Sequence, residues 1–209
     1  MEIKDTYTTI AQATEEILFK EKSSKFFGYA FPIESEEEVK PIIDQLRKLH
    51  PHAVHYCFAY QIGTEKISYR ANDDGEPSHT AGTPIYGQIQ SFGFTNLIVV
   101  VVRIFGGIKL GVEGLITAYK TAAQMVLGQA EIIEKTIDVH FLITFDYKNM
   151  NKVMRIIKEK KLDIVTQTIE LEEDSGLVLG KIELKTRKKN AEMIFDIFDN
   201  LFEIDIKRL

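Results

Sequence analysis

The chain has 209 residues, 44% of them hydrophobic and 10% aromatic, enough for one large core or two small ones and too rich in apolar side chains for a disordered chain. Asp and Glu number 31 against 26 Lys and Arg, and the net charge of -5 excludes indiscriminate binding to nucleic acid or a membrane surface. Any nucleic-acid contact must come from a local basic patch. Cys57 is the only cysteine, so no intramolecular disulfide is possible. The longest apolar run, residues 97–102, is too short for a bilayer, and Met1-Glu2-Ile3-Lys4-Asp5 lacks the basic-then-apolar order of a signal peptide. A cytoplasmic protein is expected.

In chain order, residues 17–19 and 26–33 read as paired strands around Lys20-Glu21-Lys22-Ser23-Ser24. Ser35-Glu36-Glu37-Glu38 is a capping box that opens a helix ending near His50, with Pro51 as the stop. Strands follow at 54–62 and 67–71. Thr83-Pro84 predicts a helix start and Gly93 its end. Residues 97–104 form an almost unbroken apolar strand, buried on both faces. A long helix then spans 112–127, with Leu115, Ala118, Tyr119, Ala122, Ala123 and Val126 inward. These elements predict an α/β domain with a mixed sheet.

Near residue 135 the pattern changes. Glycines crowd residues 82–128, but only Gly176 and Gly180 occur after 135. Residues 136–145 alternate as a strand, and Asp146 caps a helix to about 160. Strands at 162–172 and 177–185 are joined by a hairpin turn at 173–176. A helix at 188–200 and a strand at 202–206 complete the order βαββαβ, the ferredoxin-like split βαβ. The whole is an α+β chain, with an N-terminal mixed-sheet domain over 1–134 and a C-terminal ferredoxin-like domain over 135–209.

Two loops concentrate chemistry. The first, residues 72–82, is longer than a connection needs and holds Asp73, Asp74, Glu76, Ser78, His79 and Thr80. It reads either as a binding loop on a rigid scaffold or as a polar turn whose side chains satisfy their own backbone. Its spacing misses the EF-hand pattern and offers no two-His zinc arrangement, so neither a metal nor a cofactor is indicated. The second, residues 105–114, joins the buried strand to the long helix through Gly106, Gly107 and Gly111, with Arg103 and Lys109 adding charge. A glycine turn before a helix N-terminus is a generic anion site, but the spacing is neither GxxxxGK[ST] nor GxGxxG, and Glu113 already sits in the first turn. Close packing of helix on sheet is the simpler reading of these glycines.

Asp73-Asp74-Gly75-Glu76-Pro77-Ser78 with Thr80-Ala81-Gly82, then Val99-Val100-Val101-Val102-Arg103, Phe105-Gly106-Gly107, Lys109-Leu110-Gly111 and Gly114-Leu115, resemble the YigZ/IMPACT family. The likeness extends upstream to Lys22-Ser23-Ser24-Lys25-Phe26 and His50-Pro51-His52-Ala53-Val54-His55, and covers roughly residues 15–130. The tail is similar to the second domain of the bacterial branch. This resemblance implies folds like domains IV and V of elongation factor G, and a translation-linked role with nucleic-acid binding. Eukaryotic relatives regulate translation by binding a protein partner. The chain departs from the family pattern at His79, where glycine is common, at Val112-Glu113 in place of Thr-Gly, and at Thr117 in place of arginine.

Two functions follow as expectations. One is a non-enzymatic regulator that binds RNA, the ribosome or a protein partner. Its recognition loops would use Asp73, Asp74, Glu76, Ser78, His79, Thr80, Arg103, Gly106, Gly107 and Lys109, and its nucleic-acid contacts Lys22, Lys25, Lys185, Arg187, Lys188 and Lys189. The other is a hydrolase of peptidase or phosphoesterase type built on the 72–82 loop. His55 and Cys57 share a strand face and suggest a base and a thiol nucleophile. A cysteine inside an apolar run is more often inert core.

Overall fold

The structure, a computed structural model, describes residues 4–171 and 176–209. The chain divides into two compact units, one of residues 7–135 and the other of residues 136–209 with the described N-terminal residues up to Thr6. Asp5 explains why the N-terminus joins the second unit. Its carbonyl accepts from the Ile137 amide at 2.8 Å, and its carboxylate pairs with Arg187 at 2.8 Å.

The first unit is built on a five-stranded sheet of β2 (Ile17–Glu21), β3 (Ser24–Pro32), β6 (Leu97–Ile104), β4 (His55–Ile62) and β5 (Ser68–Asn72), in that spatial order. All four pairings are antiparallel, where the sequence suggested a mixed sheet. The reason is topological. The crossover through α1 (Val39–Leu49) carries β4 past β3, and β6 later inserts between them, so two parallel strands are never neighbours. β6 is the central strand and is buried almost end to end, as its apolar run requires.

One face of the sheet packs α2 (Gly82–Phe92) and α3 (Gly111–Gly128) over Phe26, Cys57, Ala59, Val99 and Val101. The other packs α1 over Tyr29, Tyr56, Phe58, Val100 and Val102. A 3-10 turn at Glu36–Glu38 precedes α1, with Glu38 Oε1 accepting from the Ser35 amide at 3.0 Å. α2 begins at Gly82, without the Thr83 cap that the Thr83-Pro84 pair suggested. Its first amides are capped from a distance: Asp73 Oδ1 accepts from Ala81 at 3.0 Å and Gly82 at 2.8 Å. β1 (Thr6–Ile10) and β7 (Ile132–Thr136) pair as a two-stranded ribbon that the sequence pattern did not reveal.

The second unit runs β8 (Asp138–Asp146), α4 (Met150–Lys160), β9 (Asp163–Leu171), β10 (Val178–Arg187), α5 (Ala191–Asp199) and β11 (Ile204–Arg208). The strands lie in the order β11-β8-β10-β9, all antiparallel, which is the split βαβ arrangement. Val139, Phe141, Ile143 and Phe145 meet Ile194 and Phe198 of α5 and Val153 and Ile157 of α4 in a separate core. Of the hairpin turn expected at 173–176, residues 173–175 lie outside the described residues. Among the described residues no helix is long and apolar enough to cross a membrane.

Candidate functional site

Three segments of the first unit meet at one end of its sheet. β6 carries Arg103 to the sheet's end, the 72–82 loop brings Glu76 beneath it, and the tip of the β2–β3 hairpin brings Ser24. The Arg103 guanidinium donates to Glu76 Oε1 at 2.6 Å and lies 3.4 Å from Ser24 Oγ. Both partners of the ion pair are buried, Arg103 to 5% exposure. The Tyr119 hydroxyl, reaching down from α3, donates to the same carboxylate oxygen at 2.7 Å. Phe26 and Phe105 flank the guanidinium, at 5.5 and 5.4 Å from its central carbon. Arg103 Nε has no hydrogen-bond partner among the described residues.

This network fixes the loops rather than exposing their charges. Asp73 is spent on backbone: besides Ala81 and Gly82, its carboxylate accepts from His79 N–H at 2.9 Å. Asp74 accepts from the Tyr56 amide at 2.7 Å and pairs with Arg47 at 3.6 Å. The Thr80 hydroxyl donates to the Pro77 carbonyl at 2.7 Å. These residues therefore follow the polar-turn reading of the loop, in which Asp and Thr side chains satisfy nearby backbone. Ser78 and His79 are exposed, and His79 holds φ at 65°, a left-handed conformation that favours glycine.

Gly106 is required by packing. A Cβ there would sit 2.1 Å from the Ser23 backbone, and its amide donates to Ser24 Oγ at 3.3 Å. Gly82 is equally constrained, since its Cβ would meet the Asn72 nitrogen at 2.5 Å. The glycine turn thereby seats itself on the hairpin tip, and the helix it leads into covers the sheet.

Above the network lies a cleft of about 380 Å³, into which the two loops converge. Glu76 and Pro77 come from the first loop, Arg103, Phe105, Lys109 and Leu110 from β6 and the second, and Val112 and Leu115 from the first turns of α3. Its rim is apolar and open to solvent: Phe105 is 46% exposed, Val112 57% and the adjacent Ile108 52%. Lys109 is exposed and forms no ion pair among the described residues. Gly107 and Gly111 bend this rim with φ of 88° and 76°. Asp73, Asp74, Ser78, His79 and Thr80 do not line the cleft.

The residues suggested as a thiol nucleophile and its base are engaged otherwise. Cys57 is fully buried, with its sulfur 3.0 Å from the Asp73 carbonyl oxygen and 3.3 Å from the Tyr119 hydroxyl. Burial pushes the Cys57 thiol well above its ordinary pKa, against a smaller opposing pull from the Tyr119 hydrogen bond. His55 Nδ1 bonds the Asp74 carbonyl at 2.8 Å, leaving Nε2 3.9 Å from Glu76. Among the described residues no three His, Cys, Asp or Glu side chains are grouped to hold a metal.

The basic candidates divide. Lys22, at the hairpin tip with φ of 43°, and Lys25 at the start of β3 are exposed on the segment that seats Gly106. In the second unit Lys185 pairs with Asp138 at 3.8 Å, while Arg187 and Lys189 converge on Asp5, at 2.8 and 4.0 Å. The Lys188 amide donates to the Ile137 carbonyl at 2.8 Å. That cluster is tied to neighbouring acids and backbone. The sequence reading missed the apolar rim of Phe105, Ile108 and Val112, and the part of Tyr119 in the buried network. The only prior signal for Tyr119 was its place in the helix's inward stripe.

The geometry defines a cleft at one end of a sheet covered by helices on both faces, and the family follows from comparison. The Impact N-terminal domain matches residues 22–127, which contain all three converging segments. IMPACT family member YvyE of Bacillus subtilis (strain 168) is 34% identical over 156 residues, covering 75% of this chain and 71% of that protein. An IMPACT family member of Haemophilus influenzae is 30% identical over 184 residues, 85% of this chain and 87% of its own length. A crystal structure of a hypothetical protein aligns with a TM-score of 0.73 over 99% of this chain and 98% of that one at 24% identity, which makes the fold common to both. The chain belongs to the IMPACT family.

Proposed function

We propose that this protein is a non-enzymatic, translation-linked regulator, and that the cleft above Arg103 and Glu76 is where it binds its partner. The observation that carries this reading is the division of labour within the two loops. Arg103 and the carboxylates of the first loop are consumed by the fold, while apolar Phe105, Ile108 and Val112 stand in water around an exposed Lys109. Groups aimed at a reacting atom need freedom to meet it and a tuned protonation state. Glu76, Asp73 and Cys57 are each committed to neighbours, which argues against the hydrolase alternative on the 72–82 loop. An exposed aromatic beside an unpaired cation suits a nucleobase with its phosphate or a protein side chain with an acidic neighbour.

Membership of the family supports the link to translation, and with it the reading of the two units as counterparts of domains IV and V of elongation factor G. Sedimentation with purified ribosomes tests the proposal. The wild type pellets with them, and a Phe105→Ser, Lys109→Glu double variant of unchanged thermal stability remains in the supernatant. A parallel titration with an unstructured RNA oligonucleotide at low salt separates RNA from protein recognition. A wild type that neither pellets nor retains the oligonucleotide defeats the reading.

A further inference from the structure

β9 is the outer strand of the second unit's sheet, and every one of its nine residues is exposed. Outer strands present unpaired amides and carbonyls, and proteins blunt them with Lys, Pro, bulges or brevity. The opposite edge follows that rule: β11 has five residues and carries Asp205, Lys207 and Arg208. β9 does not. Its sequence, Asp-Ile-Val-Thr-Gln-Thr-Ile-Glu-Leu, contains no Lys, Pro or Gly, and Ile169 is 54% exposed. One register irregularity occurs near Val165, and from Thr166 to Leu171 the strand is paired one-to-one with β10. The free edge is therefore regular over most of its length.

The side chains along that edge are also close to a palindrome. Reading outward from Gln167, each direction gives Thr, then a β-branched apolar residue, Val165 one way and Ile169 the other. An antiparallel strand pair with a two-fold axis at Gln167 sets Gln167 against itself and each Thr166 against the other chain's Thr168, within the stretch that is regularly paired with β10; Val165, at the register irregularity, lies outside it. Thr–Thr pairs are favourable cross-strand neighbours, and no like charges face one another. Glu170 is already neutralised within its own sheet by Lys181, at 2.6 Å. Isologous contact of this kind closes on itself and stops at two copies.

We propose that β9 pairs with β9 of a second copy of this chain, joining the two four-stranded sheets across a two-fold axis at Gln167. Main-chain hydrogen bonds supply the association, and the symmetric side-chain pattern fixes its register. The contact is small, so the dimer is weak and reversible.

A charge swap at the axis is the test. Sedimentation velocity across a concentration series into the millimolar range detects the wild-type dimer. Gln167→Lys and Gln167→Glu each place like charges opposite one another and weaken self-association about five-fold, while their equimolar mixture regains it. Both substitutions are on an exposed side chain, so thermal unfolding of the monomers stays close to wild type. Amide exchange of β9 slows with concentration in the wild type and in the mixture, and less in either variant alone. A wild type that stays monomeric throughout the series overturns the proposal. So does a dimer that ignores both single substitutions, or one that both abolish without rescue in the mixture.

Discussion

The Glu76 carboxylate accepts from Arg103 and Tyr119 in a space almost closed to water, so removing it strands a buried guanidinium. Breaking one partner of a buried pair costs about 3–5 kcal/mol, far more than deleting a surface charge. Glu76→Ala is therefore expected to lower the urea midpoint by an amount corresponding to that loss, and Glu76→Gln, which keeps an acceptor, by less. Unchanged stability in Glu76→Ala would mean that the pair does not hold the loop. Cys57 gives a second measurement at this scale. Burial raises its thiol pKa, so at neutral pH the sulfur is a protonated, enclosed thiol. Iodoacetamide should leave it unmodified in the native protein and alkylate it readily in urea. Fast native alkylation would reopen the nucleophile reading.

At the level of elements, the glycine turn is a spacer between hairpin tip and helix. Gly106→Ala places a methyl group 2.1 Å from Ser23 backbone, and neither main chain can give way cheaply. The expected cost is about 1–3 kcal/mol, typical of overpacking, with loss of partner binding because the rim shifts. Circular dichroism melts and the ribosome sedimentation assay check the two halves of this claim. The pattern that predicted these elements was legible where periodicity is strong: the apolar run of β6, the inward stripe of α3 and the alternating strands of the second unit. β1 and β7 escaped because each has five residues and little burial to impose alternation on its sequence. The cap of α2 escaped for a different reason. Asp73 supplies it from nine residues before Gly82, a contact that only the folded loop creates. For the site, sequence located the two loops but could not assign their side chains to inside or outside. A carboxylate that caps a helix and one that awaits a ligand look identical until the backbone around them is known.

For the whole molecule, charge sets the terms of recognition. With a net charge of -5, affinity for an anionic partner at the cleft rests on a local group, Lys109 with the hairpin-tip Lys22 and Lys25, so it should be modest and fall steeply with added salt. An apolar contribution from Phe105, Ile108 and Val112 would persist at salt concentrations that screen the lysines. The most direct measurement of the central claim is hydrogen–deuterium exchange of the full chain with and without purified ribosomes. Protection is predicted in peptides spanning residues 105–115 and 76–77, together with the hairpin tip. Protection confined to other segments, with these three unchanged, would contradict the account.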